Sequence, residues 1–333
     1  MSAVLALYEH YVAGLKPGSD ENYTGFCPLH GEVAGKSKAS FSVNIGSGLW
    51  CCFGGCGGGG LRRFLKELGK SKEYIDKTVE RLKPYLTDPS KTKSPVGKPG
   101  LFRAKYPLPE KILGLFDQCP EALVDEGFDE HLLWSHDIGY DPQHHAITFP
   151  IRDIDGTLAG IVGRNLSPGD GPKYKVYKSE IAALGFRNYN FDNHMFLWRG
   201  DRVYPKLIAS DEPPITYVTE GYKTCLWMVQ NGYEDTVCLM GSKMSVAQRV
   251  FLERLGGVIV LCLDNDPAGF TGTMKIGNEI SGCRVLVLNY PEEVHQLDSM
   301  SREELHGAVE QASPYFQWRR QHAQRKPRTE LPF

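Results

Sequence analysis

The sequence predicts a chain of several domains, α+β in its front part and α/β behind. Three observations predict it. Cysteine and histidine pairs punctuate a glycine-rich front segment; a Pro-, Lys- and Gly-rich stretch without apolar periodicity interrupts the chain near residue 90; and from Ile215 short apolar runs alternate with helical patterns. Such alternation implies a mostly parallel sheet between helices. At 333 residues the chain has room for two or three domains of about 150 residues each.

Composition narrows the setting. Charged and apolar fractions are those of a globular protein, and no run approaches the roughly 18 apolar residues of a membrane span. The first residues, Met-Ser-Ala-Val-Leu-Ala-Leu-Tyr-Glu-His, lack the basic region of a secretory signal. The expectation is a cytoplasmic protein with no membrane partner, in which nine cysteines are metal ligands or reduced core residues. Net charge is −2, but residues 1–100 carry 14 Lys/Arg against 9 Asp/Glu, and residues 207–298 carry 6 against 12. A basic front and an acidic back suit a chain that holds a polyanion at one place and cations at another.

In chain order, residues 3–15 have apolar positions at helical spacing. Ser40-Phe-Ser-Val-Asn and Gly48-Leu-Trp-Cys-Cys-Phe flank Ile45-Gly-Ser as a hairpin. Cys27-x₂-His30 and Cys52-x₃-Cys56 have the spacing of a structural Cys₃His zinc site, two chelating pairs on tight knuckles. A segment this small and glycine-rich gains from such a cross-link, which contributes on the order of 10 kcal/mol to folding. Cys51 is an alternative to Cys52, which leaves the tighter knuckle. Helical patterns follow at residues 61–68 and 74–86, and then a solvated linker.

Residues 108–116 and 121–134 read as helices. Residues 146–153 and 158–164 read as a hairpin turned by Asp155-Gly156. Arg164, Lys173 and Lys175 near one ribbon are candidates to hold phosphates, and Tyr174 to stack on a base. From Ile215 the strands are residues 215–219, 236–240, 258–263 and 284–288. Helices lie between them, one with Ser245 as N-cap and Gly256 as stop. Residues 297–311 form a last helix, and the basic run from Arg319 is expected to be flexible.

Two of these strands end in acid: Ile-Thr-Tyr-Val-Thr-Glu220-Gly221, and Val-Ile-Val-Leu-Cys-Leu-Asp264-Asn-Asp266-Pro-Ala-Gly. Ligands of open parallel sheets bind beyond the carboxyl ends of the strands. Carboxylates gathered there suit hard, oxygen-seeking cations such as Mg²⁺.

Glu220-Gly221 with Asp264-Asn-Asp266-Pro-Ala-Gly269 resembles the two signature motifs of the TOPRIM fold. Together with Phe149-Pro-Ile-Arg-Asp, Gly156, Gly163-Arg164 and Pro-Lys-Tyr174 ahead of it, and Cys27-Pro-Leu-His30 and Cys52-Phe-Gly-Gly-Cys56 in front, the chain resembles bacterial-type DNA primases over residues 5–310. Its compact size is similar to phage or plasmid forms. The resemblance implies a zinc ribbon-type DNA-recognition domain at 1–87, a linker at 88–105 and a basic part of the polymerase core at 106–212. A TOPRIM catalytic domain at 213–312 and a basic tail at 313–333 would follow. It further implies synthesis of short RNA primers from ribonucleoside triphosphates on a single-stranded DNA template, alongside a replicative helicase or other replication proteins. Glu220, Asp264 and Asp266 would hold Mg²⁺ or Mn²⁺, Arg164, Lys173 and Tyr174 would line the template or nucleotide groove, and Cys27, His30, Cys52 and Cys56 would hold zinc. Three departures stand out. Thr224 replaces a frequent Asp, the second zinc knuckle is one residue longer than usual, and His295-Gln-Leu-Asp298 replaces Lys-Asp-Pro-Asp, leaving Asp298 as a peripheral acid. The alternatives are a TOPRIM-type nuclease and a non-catalytic protein that binds single-stranded DNA or loads a helicase.

Overall fold

The structure is a computed structural model, and it describes residues 2–18, 21–32, 38–52, 56–86, 102–167, 169, 171–186, 189–208, 213–291 and 293–323. Most of the expected linker, residues 88–101, and residues 324–333 of the expected tail lie outside the described residues. Among the described residues no helix is long and apolar enough to cross a membrane.

The front unit begins with α1 (Ala3–Tyr11). A five-stranded antiparallel sheet follows: β1 (Ala13–Pro17), β2 (Asn22–Phe26), β3 (Phe41–Asn44), β4 (Trp50–Cys52) and β5 (Gly57–Gly59). Helices α2 (Leu61–Glu67) and α3 (Lys72–Leu82) complete the unit. The helix expected over 3–15 therefore stops at Tyr11, because Gly14 takes φ +66° and the chain turns to pair with β2 through a bulge. Tyr8, Phe41, Trp50 and Phe64 make its core, with the Phe41 and Trp50 rings stacked at 5.5 Å. Each such ring pair adds about 0.5–1.5 kcal/mol beyond buried area, so the zinc knuckles do not hold this unit alone.

The middle unit holds α4 (Glu121–Asp125) and α5 (Glu130–Ser135), where the sequence reads one helix; Gly127 at φ +93° separates them. Its antiparallel sheet runs β6 (Gly139–Asp141), β7 (Ala146–Arg152), β8 (Leu158–Asn165), β9 (Tyr174–Val176). Asp153 accepts the backbone N–H groups of Asp155 and Thr157, closing the expected Asp-Gly turn between β7 and β8. Short α6 (Ser179–Ala183) and α7 (Gly200–Ile208) follow.

The third unit carries β10 (Ile215–Thr219), α8 (Tyr222–Gln230), β11 (Thr236–Cys238), α9 (Val246–Leu255), β12 (Val258–Cys262), α10 (Pro267–Glu279) and β13 (Arg284–Val287). Then come α11 (Arg302–Glu310), β14 (Ser313–Pro314) and α12 (Tyr315–Ala323). The sheet order is β11-β10-β12-β13-β14, parallel except for β14. α9 starts on a capping box in which the Ser245 side chain accepts the Gln248 N–H and the Gln248 side chain accepts the Ser245 N–H.

Two expectations are corrected here. Phe102, placed in the linker, is 1% exposed and packs edge-on against Phe251 at 5.0 Å. Residues 313–323, placed in the flexible tail, add β14 to the sheet and a helix whose Trp318 is buried in the third unit's core. Tyr315, Trp318 and His322 recur at helical spacing within the basic run, which masks the pattern.

Candidate active site and zinc centre

Cys27, His30, Cys52 and Cys56 bring their ligand atoms within 4.8 Å of one another, the one Cys/His/Asp/Glu group among the described residues drawn this close. The His30 Nδ1 lies 2.9 Å from Cys56 Sγ and 3.6 Å from Cys52 Sγ. Soft thiolates and an imidazole in a tetrahedral-sized cluster fit zinc. Cys51 is buried on the opposite side of β4 and stays out of the group. Glu32, outside the predicted ligand set, holds the cluster from behind. One oxygen meets His30 Nε2 at 3.0 Å, and the other accepts the backbone N–H groups of Cys27 and Ser40. That bond leaves Nδ1 facing the thiols. The visible signal is a carboxylate two residues after a ligand His.

The acids come from strand ends. β10 and β12 are neighbours, with Thr219 opposite Cys262, so Glu220 and Asp264 emerge side by side. Gly269 is required behind them, since a Cβ there would sit 2.0 Å from the Asp264 carbonyl oxygen. Asp266 is spent differently: it is the N-cap of α10 and accepts the Gly269 N–H at 2.7 Å. Its charge still acts on its neighbours. Burial first, then Asp264 and Asp266, push the Glu220 carboxyl up to about 7, against the pull of Lys173. Burial, then Asp298 and Asp266, push Asp264 up to about 6. Glu220 Oε2 and Asp264 Oδ1 are buried with no hydrogen-bond partner. Buried, mutually repelling carboxylate oxygens without donors are what a hard divalent cation neutralises, so the residues fit such an ion.

A cavity of about 250 Å³ opens on these acids, lined by Arg164, Lys173, Tyr174, Glu220, Lys223, Asp264 and Asp298 among others. Arg164 and Tyr174 are cross-strand partners on β8 and β9. The structure thus gathers Arg164, Lys173, Tyr174, Glu220 and Asp264 in one cleft, with Asp266 capping a helix at its edge. The Tyr174 ring lies 5.4 Å from that of Tyr222, and burial pushes its hydroxyl up to about 12. It is a wall of the cleft more than an open stacking face. Lys175, on the alternate side of β9, pairs with Glu180 at 2.6 Å.

Two further charged residues complete the wall. Asp298 lies in the wall because Asn265 donates to the Val294 and His295 carbonyls, at 2.7 and 2.8 Å, and fixes the loop leading to it. Lys223, in the first turn of α8, ion-pairs with Asp298 at 3.3 Å and with Glu126.

Comparison with known proteins follows the same division. A family profile described as a CHC2 zinc finger matches residues 2–92, and one described as Toprim-like matches residues 217–300. The DNA primase of Lactococcus lactis is 25% identical over 334 aligned residues, covering 86% of this chain and 50% of its own length. The chain is thus similar to bacterial-type DNA primases in both its zinc finger and its Toprim-like part. The DNA primase of Thermotoga maritima is likewise 25% identical, over 82% of this chain and 52% of its own length. The chain spans about half the length of the curated primases it matches. The zinc-binding and RNA polymerase domains of the Aquifex aeolicus primase share its fold, with TM-score 0.54, 16% identity, 96% of this chain and 87% of that one. Within this fold the zinc finger carries the Cys/His cluster and the Toprim-like sheet carries the acids.

Proposed function

We propose that the chain is a DNA-directed RNA polymerase that makes short RNA primers from ribonucleoside triphosphates on single-stranded DNA. One observation carries this reading. The orphaned oxygens of Glu220 and Asp264 face Arg164 and Lys173 across a single cleft, behind a zinc finger of the primase type. Joining a 3′-hydroxyl to an α-phosphate needs little covalent chemistry from the protein; positioning and charge neutralisation supply the acceleration. A Mg²⁺ or Mn²⁺ ion held by Glu220, Asp264 and Asp266 would supply Lewis acidity toward the reacting phosphate and the pyrophosphate leaving group.

The side chains have separable tasks. Arg164 and Lys173 bind triphosphate oxygens opposite the acids, with Arg164 offering a planar fork and Lys173 a point charge. Tyr174, braced on Tyr222, closes the cleft behind them. In the proposed division, residues 1–87 read the template, 106–212 hold the polyanion and 213–312 carry the chemistry. The setting is the cytoplasm of a bacterial cell or infected host, and the partner class is a replicative helicase or another replication protein.

Incubation with single-stranded DNA, labelled ribonucleotides and Mg²⁺ tests the reading. Short RNA products are expected, falling at least about 100-fold in Asp264→Ala, as for removal of a group that stabilises developing charge. Cleavage of the DNA with no RNA product would establish the nuclease reading instead.

A further inference from the structure

Lys223 is unusual company for a cluster of carboxylates meant for a cation. Its side chain is 20% exposed, reaching from the first turn of α8 over the Phe128 ring toward Asp298, whose side chain is 11% exposed. Asp298 in turn is the neighbouring charge that acts most on Asp264. The ammonium and the cleft acids therefore form one sequence of neighbouring charges: Glu126, Lys223, Asp298, Asp264. Lys173, in the wall of the same cavity, acts on Glu220 and Asp264 in the opposite sense to the acids. Thr224 and Gln296, both in the wall of the same cavity, add no carboxylate.

We propose that the Lys223 ammonium occupies the position beside Asp298 and Asp264 that would otherwise take a second divalent ion, so that the site holds one. The inference rests on the reading that Glu220, Asp264 and Asp266 bind such an ion. A compact monocation at 3.3 Å from Asp298 neutralises that carboxylate and repels a divalent ion placed there. The charge is fixed by the fold, because Glu126 holds the ammonium as well. Asp298 then serves as a positioning residue for Lys223, and the pair orders the first turn of α8 directly after Glu220. A built-in ammonium also leaves one donor face for a phosphate oxygen of the incoming triphosphate, since Lys presents three N–H groups and two carboxylates engage it.

The test counts ions instead of products. Mn²⁺ is titrated by electron paramagnetic resonance into the zinc-loaded full chain, with Glu220→Gln as the baseline for sites elsewhere. Wild type is expected to bind one Mn²⁺ above that baseline, and Lys223→Met to bind two. Lys223→Arg, which keeps the cation, and the double variant Lys223→Met/Asp298→Asn should both return to one. Asp298→Asn alone should keep its single ion within about threefold of the wild-type affinity. Circular dichroism of Lys223→Met checks that the fold is retained, and a collapsed Lys223→Met leaves Lys223→Arg and Asp298→Asn to decide. An unchanged count in folded Lys223→Met, or loss of the ion in Asp298→Asn, overturns the proposal and leaves the divalent site standing. Wild type no different from Glu220→Gln overturns both.

Discussion

His136 builds a pH dependence into the fold. Arg199 Nε–H can only donate, so its 2.9 Å contact makes His136 Nε2 an acceptor, and Nδ1–H donates to the Leu132 carbonyl at 2.8 Å. The ring must be neutral. Burial first, then the Arg199 charge, push its pKa down to about 3, against about 6.5 in the unfolded chain. A depressed folded value means the unfolded state takes up the proton first. The stabilisation is thus whole above about pH 6.5 and is lost as pH falls toward 3, at up to roughly 1.4 kcal/mol per pH unit. Urea midpoints should fall between pH 7 and pH 5, and His136→Gln should flatten that slope; an equal slope in both proteins would refute it. At the same scale, Glu220 and Asp264 were legible in the sequence because strand ends advertise themselves, whereas Lys223, Asp298 and Glu32 act through partners brought together only by folding.

Elements whose chemistry is local were readable before the fold was known. Ser245 caps α9 and the Asp155-Gly156 turn joins β7 to β8 because each needs only a few adjacent residues. β5 was not readable, since Gly57–Gly59 offers no side-chain alternation and is a strand only by pairing with β4. α7 hid behind Pro205 and α12 behind its arginines. The zinc ribbon lies between these cases: its knuckles are local, its support is not. Cys27→Ser or Cys56→Ser is expected to abolish zinc retention, while Glu32→Gln should weaken it by 10- to 100-fold, on the scale of lost outer-shell bonds. Metal content after dialysis against a graded chelator separates the two, and full retention in Cys56→Ser would contradict the assignment.

Across the whole molecule the zinc unit sits against the third unit, not beside its acids. Arg63 is buried at this contact, with Nη1 3.4 Å from the Leu255 carbonyl, and Gly57 lies against Gly256. Arg63→Ala should loosen the contact without releasing zinc. An increased radius of gyration in solution scattering, with unchanged metal content, is the expected outcome; an unchanged radius would show that the apolar contacts of Leu49 with the same core suffice.

That contact lies at the start of β12, and Asp264 lies just past its end. From Gly257 to Asp264 an extended chain covers roughly 23 Å at about 3.3 Å per residue. The strand therefore acts as a spacer bar between the zinc unit's contact and the acids. Along a duplex that length corresponds to about seven nucleotides at roughly 3.4 Å each. On the proposed function, where a template is read and where its copy begins would be different places along the strand, and their offset would be a property of β12.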